Sequence, residues 1–464
     1  MYTALIRSKL DYGCQVYDSA SDNALKPLDS IQHQALKVAL GAVRNTPSLS
    51  LLAESGELPL KLRREKLILK YWARTQVMGP SFPPCKIVKN TENKAYRNKL
   101  NKHQKPPYMF RIHEALKEHK LDKIKIEEYL PNPTPPWLLK QPEVNIDILN
   151  TVNKKENPIA AKHLSLDIIS KFEKREHYYT DGSKNPDNNR AGFGIFCPQN
   201  STELSIRISD NCSVYSSEII AIGLALRIIT VNKPKNGAVI LSDSLSSLIS
   251  ISTGNGTRNT VLTSIQNSIN QLSIAKIPVT LMYVPAHVGI PGNDKADQLA
   301  KNALHLTEIT QPVSLTKEET YSLINKSIQK KWDDIWLNSD PNQPLRKIQD
   351  KPSKKAILYS ENKTEDKIIT KLRLGYTKLK ENINKMIKNT SPNCTHCNAL
   401  ETISHVFTEC QFHSTARNNW KKQLKKEKLD DKTLIELIRL ASKNQVARNL
   451  IISFIREIGY IDKI

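Results

Sequence analysis

The stretch Tyr178-Tyr179-Thr180-Asp181-Gly182-Ser183 decides our interpretation of the fold. We predict a short apolar and aromatic strand over residues 178–181 that delivers one carboxylate and then breaks at Gly182. Taken alone, an Asp-Gly-Ser sequence after a strand is most often a plain turn. The stretch gains meaning only from the acids that follow it in the chain.

Around this stretch the pattern predicts an α/β domain over residues 171–308. Three strands joined by short loops form an antiparallel meander, and two further strands alternate with amphipathic helices. We therefore expect a mixed five-stranded sheet flanked by helices. The predicted strands cover 178–181, 191–196, 204–208, 239–243 and 279–284, and the first and last helices cover 216–229 and 293–304.

Four acids fall at the ends of predicted elements in this domain: Asp181, Glu218, Asp243 and Asp297. Each has a structural explanation by itself. Glu218 is a first-turn acid favoured by the helix dipole, Asp243 is a possible N-cap, and Asp297 has Lys301 at i+4. Their joint order instead favours a cluster of hard oxygen ligands, which is what Mg²⁺ needs for phosphodiester hydrolysis.

Each of these acids lies in a distinctive block of sequence. The blocks are Tyr179-Thr180-Asp181-Gly182-Ser183, Tyr215-Ser216-Ser217-Glu218-Ile219-Ile220-Ala221-Ile222, Leu241-Ser242-Asp243-Ser244 and Val284-Pro285-Ala286-His287-Val288-Gly289-Ile290-Pro291-Gly292-Asn293-Asp294-Lys295-Ala296-Asp297. Together the four blocks resemble type 1 ribonuclease H. The resemblance implies a ribonuclease H-like sheet, cleavage of the RNA strand of RNA–DNA hybrids, and two Mg²⁺ ions, with Mn²⁺ as a substitute, held by Asp181, Glu218, Asp243 and Asp297.

The same resemblance implies a mechanism in which a metal-activated water attacks phosphorus in line, leaving a 3′-hydroxyl and a 5′-phosphate. His287 takes the place of the family's loop histidine, with a role in product release or proton transfer, whereas Asp294 lies at a variable position. One departure concerns the basic helical protrusion of some cellular members, because residues 252–271 hold only Arg258 and no lysine. We expect hybrid affinity to come from other segments.

The charge of the chain indicates a polyanionic partner. A formal net charge of +23 over 464 residues suits a nucleic-acid backbone, although lysine-rich solubility is the alternative explanation. The RNA–DNA hybrid as the particular partner is implied by the resemblance to ribonuclease H. No window supplies about twenty uncharged apolar residues, so we expect no membrane partner and an intracellular protein, with nucleus and cytoplasm both open.

Residues 1–77 have helical periodicity and no catalytic chemistry. They resemble the thumb-side end of reverse transcriptases from Jockey-like non-LTR retrotransposons. Polymerisation needs paired carboxylates in a hairpin, but Asp333-Asp334 lies in an amphipathic helical stretch, so we reject polymerase activity and leave a polymerase-bearing partner open. The motifs are Tyr2-x-x-Leu5-Ile6-Arg7-Ser8-x-Leu10-x-Tyr12-Gly13, Leu40-Gly41-Ala42 and Glu57-Leu58-Pro59-Leu60.

Two further regions are distinguished by composition. Residues 78–170 are rich in proline and lysine, which predicts a linker, and the basic residues at 94–102 leave an RNA-binding arm as the alternative. Residues 309–390 are predicted to be helical and basic. Trp332 and Trp336 are four residues apart, so they share one helix face, and we expect both in a core.

The seven cysteines do not form a disulfide framework, but three of them cluster with a histidine in residues 391–464. The spacing Cys394-x2-Cys397-x7-His405-x4-Cys410 offers a tetrahedral set for Zn²⁺, with buried free cysteines as the alternative. His396 and His413 are spare ligands. The segment resembles the Cys-Cys-His-Cys knuckle of such retroelements, including Glu401-Thr402-Ile403-Ser404-His405 and Lys371-Leu372-Arg373-Leu374-Gly375, with Tyr376 where many relatives have histidine.

Two functions of different classes are compatible with these features. The first is a hybrid-specific endoribonuclease within the C-terminal part of a Jockey-like polyprotein. The alternative is a catalytically silent retroelement remnant that binds nucleic acid, including single strands at the knuckle and its neighbouring lysines, against which a solvated helix face is equally plausible. A structural scaffold would predict eroded motifs, whereas all four acids are present. The lysines are Lys421, Lys422, Lys425, Lys426 and Lys428.

Overall fold

The computed structural model of the chain describes residues 2–85, 105–129, 134–151, 157–253, 260–354, 362–387 and 389–464. The chain folds into two compact units. The sheet unit comprises the described residues of 70–92 and 116–324, and the helical unit comprises those of 1–69, 93–115 and 325–464. Each unit therefore joins segments that are far apart in the sequence.

The sheet unit is built on a mixed sheet of six strands. Strand order across the sheet is β1-β6-β5-β2-β3-β4. The four strands from β1 to β2 run parallel to one another, and β3 and β4 pair antiparallel at the other side. The mixed α/β fold is confirmed, with one strand more than predicted. The strands are β1 (Glu143–Asn145), β2 (Glu176–Lys184), β3 (Ala191–Cys197), β4 (Thr202–Ile208), β5 (Ala238–Ser242) and β6 (Val279–Tyr283).

The sixth strand and two helices come from the region predicted as a linker, so that prediction is wrong for its described residues from 143 onward. β1 pairs in parallel with β6, and the helices α1 (Asp147–Thr151) and α2 (Pro158–Ser170) follow it. Pro158 occupies the first turn of α2 and Asn157 caps that helix, so this proline starts a helix instead of interrupting one. The basic residues at 94–102 lie outside the described residues.

Four helices complete the sheet unit: α3 (Val214–Asn232), α4 (Leu245–Thr253), α5 (Thr260–Ile274) and α6 (Pro291–Ala303). α3 is long and apolar enough by composition to cross a membrane. It is nevertheless mostly buried inside the unit, where it packs on β2, β3 and α5. A core helix of a globular domain meets the same compositional test, so the hydropathy of α3 is explained by its packing.

The helical unit has its own core, in which Phe407, Trp420 and Phe454 pack with ring centroids 4.8–5.5 Å apart. Trp332 and Trp336 are also buried, as predicted. The predicted boundaries after residues 77, 308 and 390 stay predictions. The α-helices of the unit are Ser8–Asp11, Cys14–Tyr17, Asp22–Leu40, Ser48–Ser55, Pro344–Ile348, Lys363–Leu374, Lys380–Met386, Ser414–Lys426, Leu434–Ala441 and Gln445–Glu457, and Leu60–Val77, Tyr108–Glu118 and Lys317–Leu337 contribute residues to both units.

Candidate functional site

Three of the four predicted acids converge on one point of the sheet unit. Asp181, Glu218 and Asp243 each offer a carboxylate oxygen, and these oxygens lie within 4.8 Å of one another. The sheet register explains two of them, because Thr180 of β2 pairs in parallel with Ser242 of β5 and each is followed by an aspartate. Glu218 comes from the second turn of α3, which packs on β2.

Gly182 brings α3 close to the sheet, and our prediction that the strand breaks there is wrong. β2 continues through Gly182 to Lys184. A Cβ atom on Gly182 would lie 2.7 Å from the backbone nitrogen of Glu218 and 2.9 Å from Cβ of Ser217, distances that no real side chain tolerates. The glycine therefore permits the approach of strand and helix that places Glu218 beside Asp181.

The converging carboxylates repel one another in a buried place. Burial, and then the charges of Asp243 and Asp297, raise the pKa of Asp181 to about 7. Burial also raises the pKa of Glu218 well above its usual value, with further contributions from Asp181 and Asp243. Clustered carboxylates take up protons when no cation is bound to them, whereas a bound cation would compensate their charge. The site thus has the electrostatics of a cation site.

The donor set fits a hard divalent ion such as Mg²⁺, which takes carboxylate and water oxygens. Within the described residues, Oε2 of Glu218 is buried and has no hydrogen-bond partner. A buried carboxylate oxygen without a donor is costly, and coordination to a cation would satisfy it. Asp181, Glu218 and Asp243 are therefore the residues that would hold such an ion.

The fourth predicted ligand, Asp297, lies outside the group of three. It is half-buried on α6, and its Oδ2 accepts a hydrogen bond of 2.6 Å from Nζ of Lys301, one turn further along the helix. Its charge still reaches the cluster, since it contributes to the raised pKa of Asp181. The structure therefore shows the i+4 ion pair with Lys301 that the sequence suggested. It also places the charge of Asp297 near enough to Asp181 to raise the pKa of that residue.

His287 lies on the loop between β6 and α6, with an exposed side chain and a backbone φ of 57°. The loop begins at the sheet edge that carries the acids, because the backbone N–H of Val284 donates to the carbonyl of Ser242, the residue before Asp243. The imidazole does not join the three carboxylates. Asp294, which we did not predict to be a ligand, is exposed in the first turn of α6.

The raised pKa of Asp181 predicts a pH-dependent stability of the metal-free sheet unit. The usual value is 3.8 and the folded value is about 7, so the folded state holds more protons between these values and loses stability as pH rises through that window. We expect a loss on the order of 2–4 kcal/mol in chelator between pH 4 and 7. Hydrogen exchange of peptides from β2 and β5 measures it.

The matched control is Asp181→Asn, which removes the titrating group with little change in shape. Its pH dependence in chelator should be clearly flatter than that of the wild type. A wild-type protein whose strands have the same free energy of exchange at pH 4.5 and pH 7, after correction for the intrinsic exchange rate at each pH, would contradict the assigned repulsion.

A second group of possible ligands lies in the helical unit. Donor atoms of Cys394, Cys397, His405 and Cys410 all lie within 4.8 Å of one another, with the two sulfurs of Cys394 and Cys410 4.0 Å apart. Nε2 of His405 lies 3.2 Å from the sulfur of Cys397. Three thiols and one imidazole form the donor set of a structural zinc site.

Local backbone geometry shapes this cluster. The N–H of Cys394 donates to the carbonyl of Ala399 at 2.7 Å, and Asn398 turns the chain with φ of 58°. The pKa of Cys394 is about 7: burial opposes ionisation, but hydrogen bonds from nearby backbone and side-chain donors, His405 among them, outweigh it. A thiol near neutrality readily supplies the thiolate that metals bind.

The spare histidines lie outside this group. The His396 ring stacks on Phe412 with centroids 3.6 Å apart, and both side chains are exposed. His413 is buried against Tyr460, with ring centroids 5.1 Å apart. The four predicted ligands are thus the ones that converge.

Comparison with models of protein families matches residues 173–305 to RNase H. The matched range contains all three converging acids as well as His287 and Asp297. It covers less than half of the chain, so it describes the domain and not the whole protein. The comparison with curated proteins found no match.

Proposed function

Starting from the ribonuclease H domain at residues 173–305, we propose that this protein is a metal-dependent endoribonuclease that cleaves the RNA strand of RNA–DNA hybrids. The observation that carries the proposal is the convergence of Asp181, Glu218 and Asp243 within 4.8 Å. Nothing in a purely structural α/β domain requires three carboxylates to converge at one point, where burial and the charge of Asp243 raise the pKa of both Asp181 and Glu218.

The four acids differ in the metal ion that each would hold. Asp181, Glu218 and Asp243 would hold one Mg²⁺. Asp297, whose carboxylate accepts a hydrogen bond from Lys301, would serve as a ligand of a second ion. Bound Mg²⁺ supplies Lewis-acid chemistry and charge neutralisation for phosphodiester hydrolysis. The carboxylates fix where the scissile phosphate lies, because the surrounding core holds β2, β5 and α3 rigidly.

We assign His287 to proton transfer or product release. Its exposed position on a loop lets the imidazole meet solvent and substrate, and an imidazole can both accept and donate a proton. The products in this proposal carry a 3′-hydroxyl on one RNA fragment and a 5′-phosphate on the other.

The test is a panel of end-labelled substrates incubated with the full-length protein and Mg²⁺. We expect cleavage of RNA paired to DNA, and at least about 100-fold slower cleavage of RNA duplex, DNA duplex and single strands, because only the hybrid combines 2′-hydroxyls with a DNA partner strand. Chelator should abolish the reaction. Absence of hybrid cleavage at saturating protein would reject the enzyme and leave the silent nucleic-acid-binding remnant.

We further infer that the chain is the C-terminal part of a Jockey-like retroelement polyprotein or derives from one. The support is the order of a helical N-terminal segment, a ribonuclease H domain and a Cys-Cys-His-Cys cluster along one chain. In that setting the hybrid substrate is the product of a polymerase that this chain does not itself supply.

We also propose that Cys394, Cys397, His405 and Cys410 bind Zn²⁺, on the basis of their converging donors. We predict about one zinc per chain, lost in Cys394→Ser because three remaining ligands hold the ion too weakly. Metal analysis of the purified protein is the measurement. The control is Cys14→Ser, a buried cysteine of the same unit outside the cluster, which should keep its zinc. Wild type without zinc would favour buried free cysteines.

A further inference from the structure

We infer that Lys162 on α2 binds a backbone phosphate of the nucleic acid beside the catalytic acids. This inference rests on the proposed function, since it attributes part of the affinity for the hybrid to a residue outside the matched range 173–305. Residues 252–271, where some cellular ribonucleases H have a basic protrusion, contain no lysine. Their one arginine, Arg258, lies outside the described residues.

Lys162 contacts the loop that leaves the sheet at the edge where the acids lie. β2, β5 and β6 are parallel, so their carboxyl ends share that edge. The loop after β6 starts there, tied by the hydrogen bond of 3.0 Å from Val284 N–H to the carbonyl of Ser242. Gly289 is on this loop, and a Cβ atom on it would lie 3.2 Å from Nζ of Lys162. The ammonium thus rests against the loop that carries His287.

The position of Lys162 is fixed by its neighbours on α2. Ala161, Ser165, Ile168 and Ile169 are buried, and the hydroxyl of Ser165 donates to the carbonyl of Ala161. The helix is therefore anchored on the core of the sheet unit, while the side chain of Lys162 itself remains partly exposed. A lysine on an anchored helix can meet a phosphate without any cost of ordering the backbone.

Neighbouring lysines on α6 are already engaged. Nζ of Lys301 donates to Asp297 at 2.6 Å, and Nζ of Lys295 pairs with Glu203 at 2.9 Å. In the described part of the chain, Lys162 forms no such ion pair with a carboxylate. The acids repel a polyanion, so a cation near them would favour its binding. A nucleic-acid strand whose scissile phosphate lies at the acids carries further phosphates about every 3.4 Å along its axis. Lys162 can meet one of them.

The test measures binding, not turnover. The parent is Asp181→Asn, which is expected to cleave at least about 10³-fold more slowly than the wild type. Its affinity for a fluorescent RNA–DNA hybrid is measured by anisotropy in Mg²⁺ at several salt concentrations. We expect Lys162→Met to weaken binding about three- to ten-fold and to reduce the slope of log K against log salt by about 0.9, the value of one phosphate contact. Methionine retains the methylene packing, so the change reports the charge.

Two variants control the result. Lys162→Arg keeps the charge and should bind within about two-fold of the parent. Lys235→Met removes an exposed lysine just before β5, whose five residues separate it by about 16 Å from the edge that carries Asp243. It should leave the salt slope unchanged. Hydrogen exchange of α2 verifies that the variants fold, and Lys162→Gln replaces methionine if that variant does not.

The outcomes separate the two claims. If the parent binds the hybrid and Lys162→Met binds with the same affinity and slope, the phosphate contact is wrong while the proposed function stands. Equal losses in Lys162→Met and Lys235→Met also overturn the contact, because they reveal only a general charge effect. A parent that binds no hybrid overturns the proposed function and this inference together.

Discussion

Asp181→Asn is expected to lower the rate of RNA cleavage in the hybrid by at least about 10³-fold, equivalent to about 4 kcal/mol of transition-state stabilisation. The amide keeps the size of the side chain but removes the charge at the centre of the group formed with Glu218 and Asp243. Single-turnover cleavage of a labelled hybrid in saturating Mg²⁺ measures the chemical step without interference from product release.

The same substitution should raise the stability of the metal-free sheet unit near pH 8. Asp181 is ionised there at a cost, because burial and the neighbouring acids raise its pKa to about 7. A rise in stability together with a loss of activity separates a lost ligand from a misfolded protein. The matched control is Asp294→Asn, an exposed acid of α6, which should change activity by less than about two-fold. Equal activity of Asp181→Asn and wild type would refute the assignment.

Arg373→Met is expected to destabilise the helical unit by about 3–5 kcal/mol. Arg373 and Glu54 form a bidentate ion pair, with Nε to Oε1 at 2.7 Å and NH2 to Oε2 at 3.1 Å. Their side chains are only 3% and 1% exposed. The substitution removes the arginine charge that faces a buried carboxylate, which costs more than the loss of the hydrogen bonds alone. Hydrogen exchange of peptides from 48–55 and 363–374 reports the opening free energy.

Two controls test the cause of this loss. Arg456→Met breaks the ion pair with Glu365, on the same helix as Arg373, but Arg456 is 55% exposed, so we expect a loss below about 1 kcal/mol. The double change Glu54→Leu with Arg373→Met removes both charges and should recover most of the stability. If the double variant is as unstable as Arg373→Met, the penalty does not come from burying the charge of Glu54 in the absence of Arg373.

Local patterns predicted much of the architecture. Alternating and helical periodicities located β2 to β6 and α3. The start of α3 was placed two residues late, because the helix begins at Val214 with Ser213 as its N-cap, whose side chain accepts a hydrogen bond from the Ser216 N–H. Periodicity failed between 143 and 170, because the proline-rich composition around it obscured a three-residue strand and a helix that begins at Pro158. Strands that short carry too few residues to show a period.

The ion pair of Glu54 and Arg373 shows a different limit. Arg373 stands in a motif quoted from the sequence, yet its partner lies 319 residues away. Nothing in either segment indicates the other, because an ion pair leaves no local periodicity. Only the folded helical unit places the helices Ser48–Ser55 and Lys363–Leu374 together.

The stretch around Asp181 shows what the sequence determined and what only the tertiary structure decided. By itself the sequence determined which acids are present, their order on strands and helices, and the strand that carries Asp181, because these follow from residue types and local periodicity. Only the tertiary structure decided that the strand continues through Gly182 and that the missing side chain there admits α3. A glycine looks the same in a turn and at a close contact, and the approach of Glu218 to Asp181 is a packing result across 37 residues of chain.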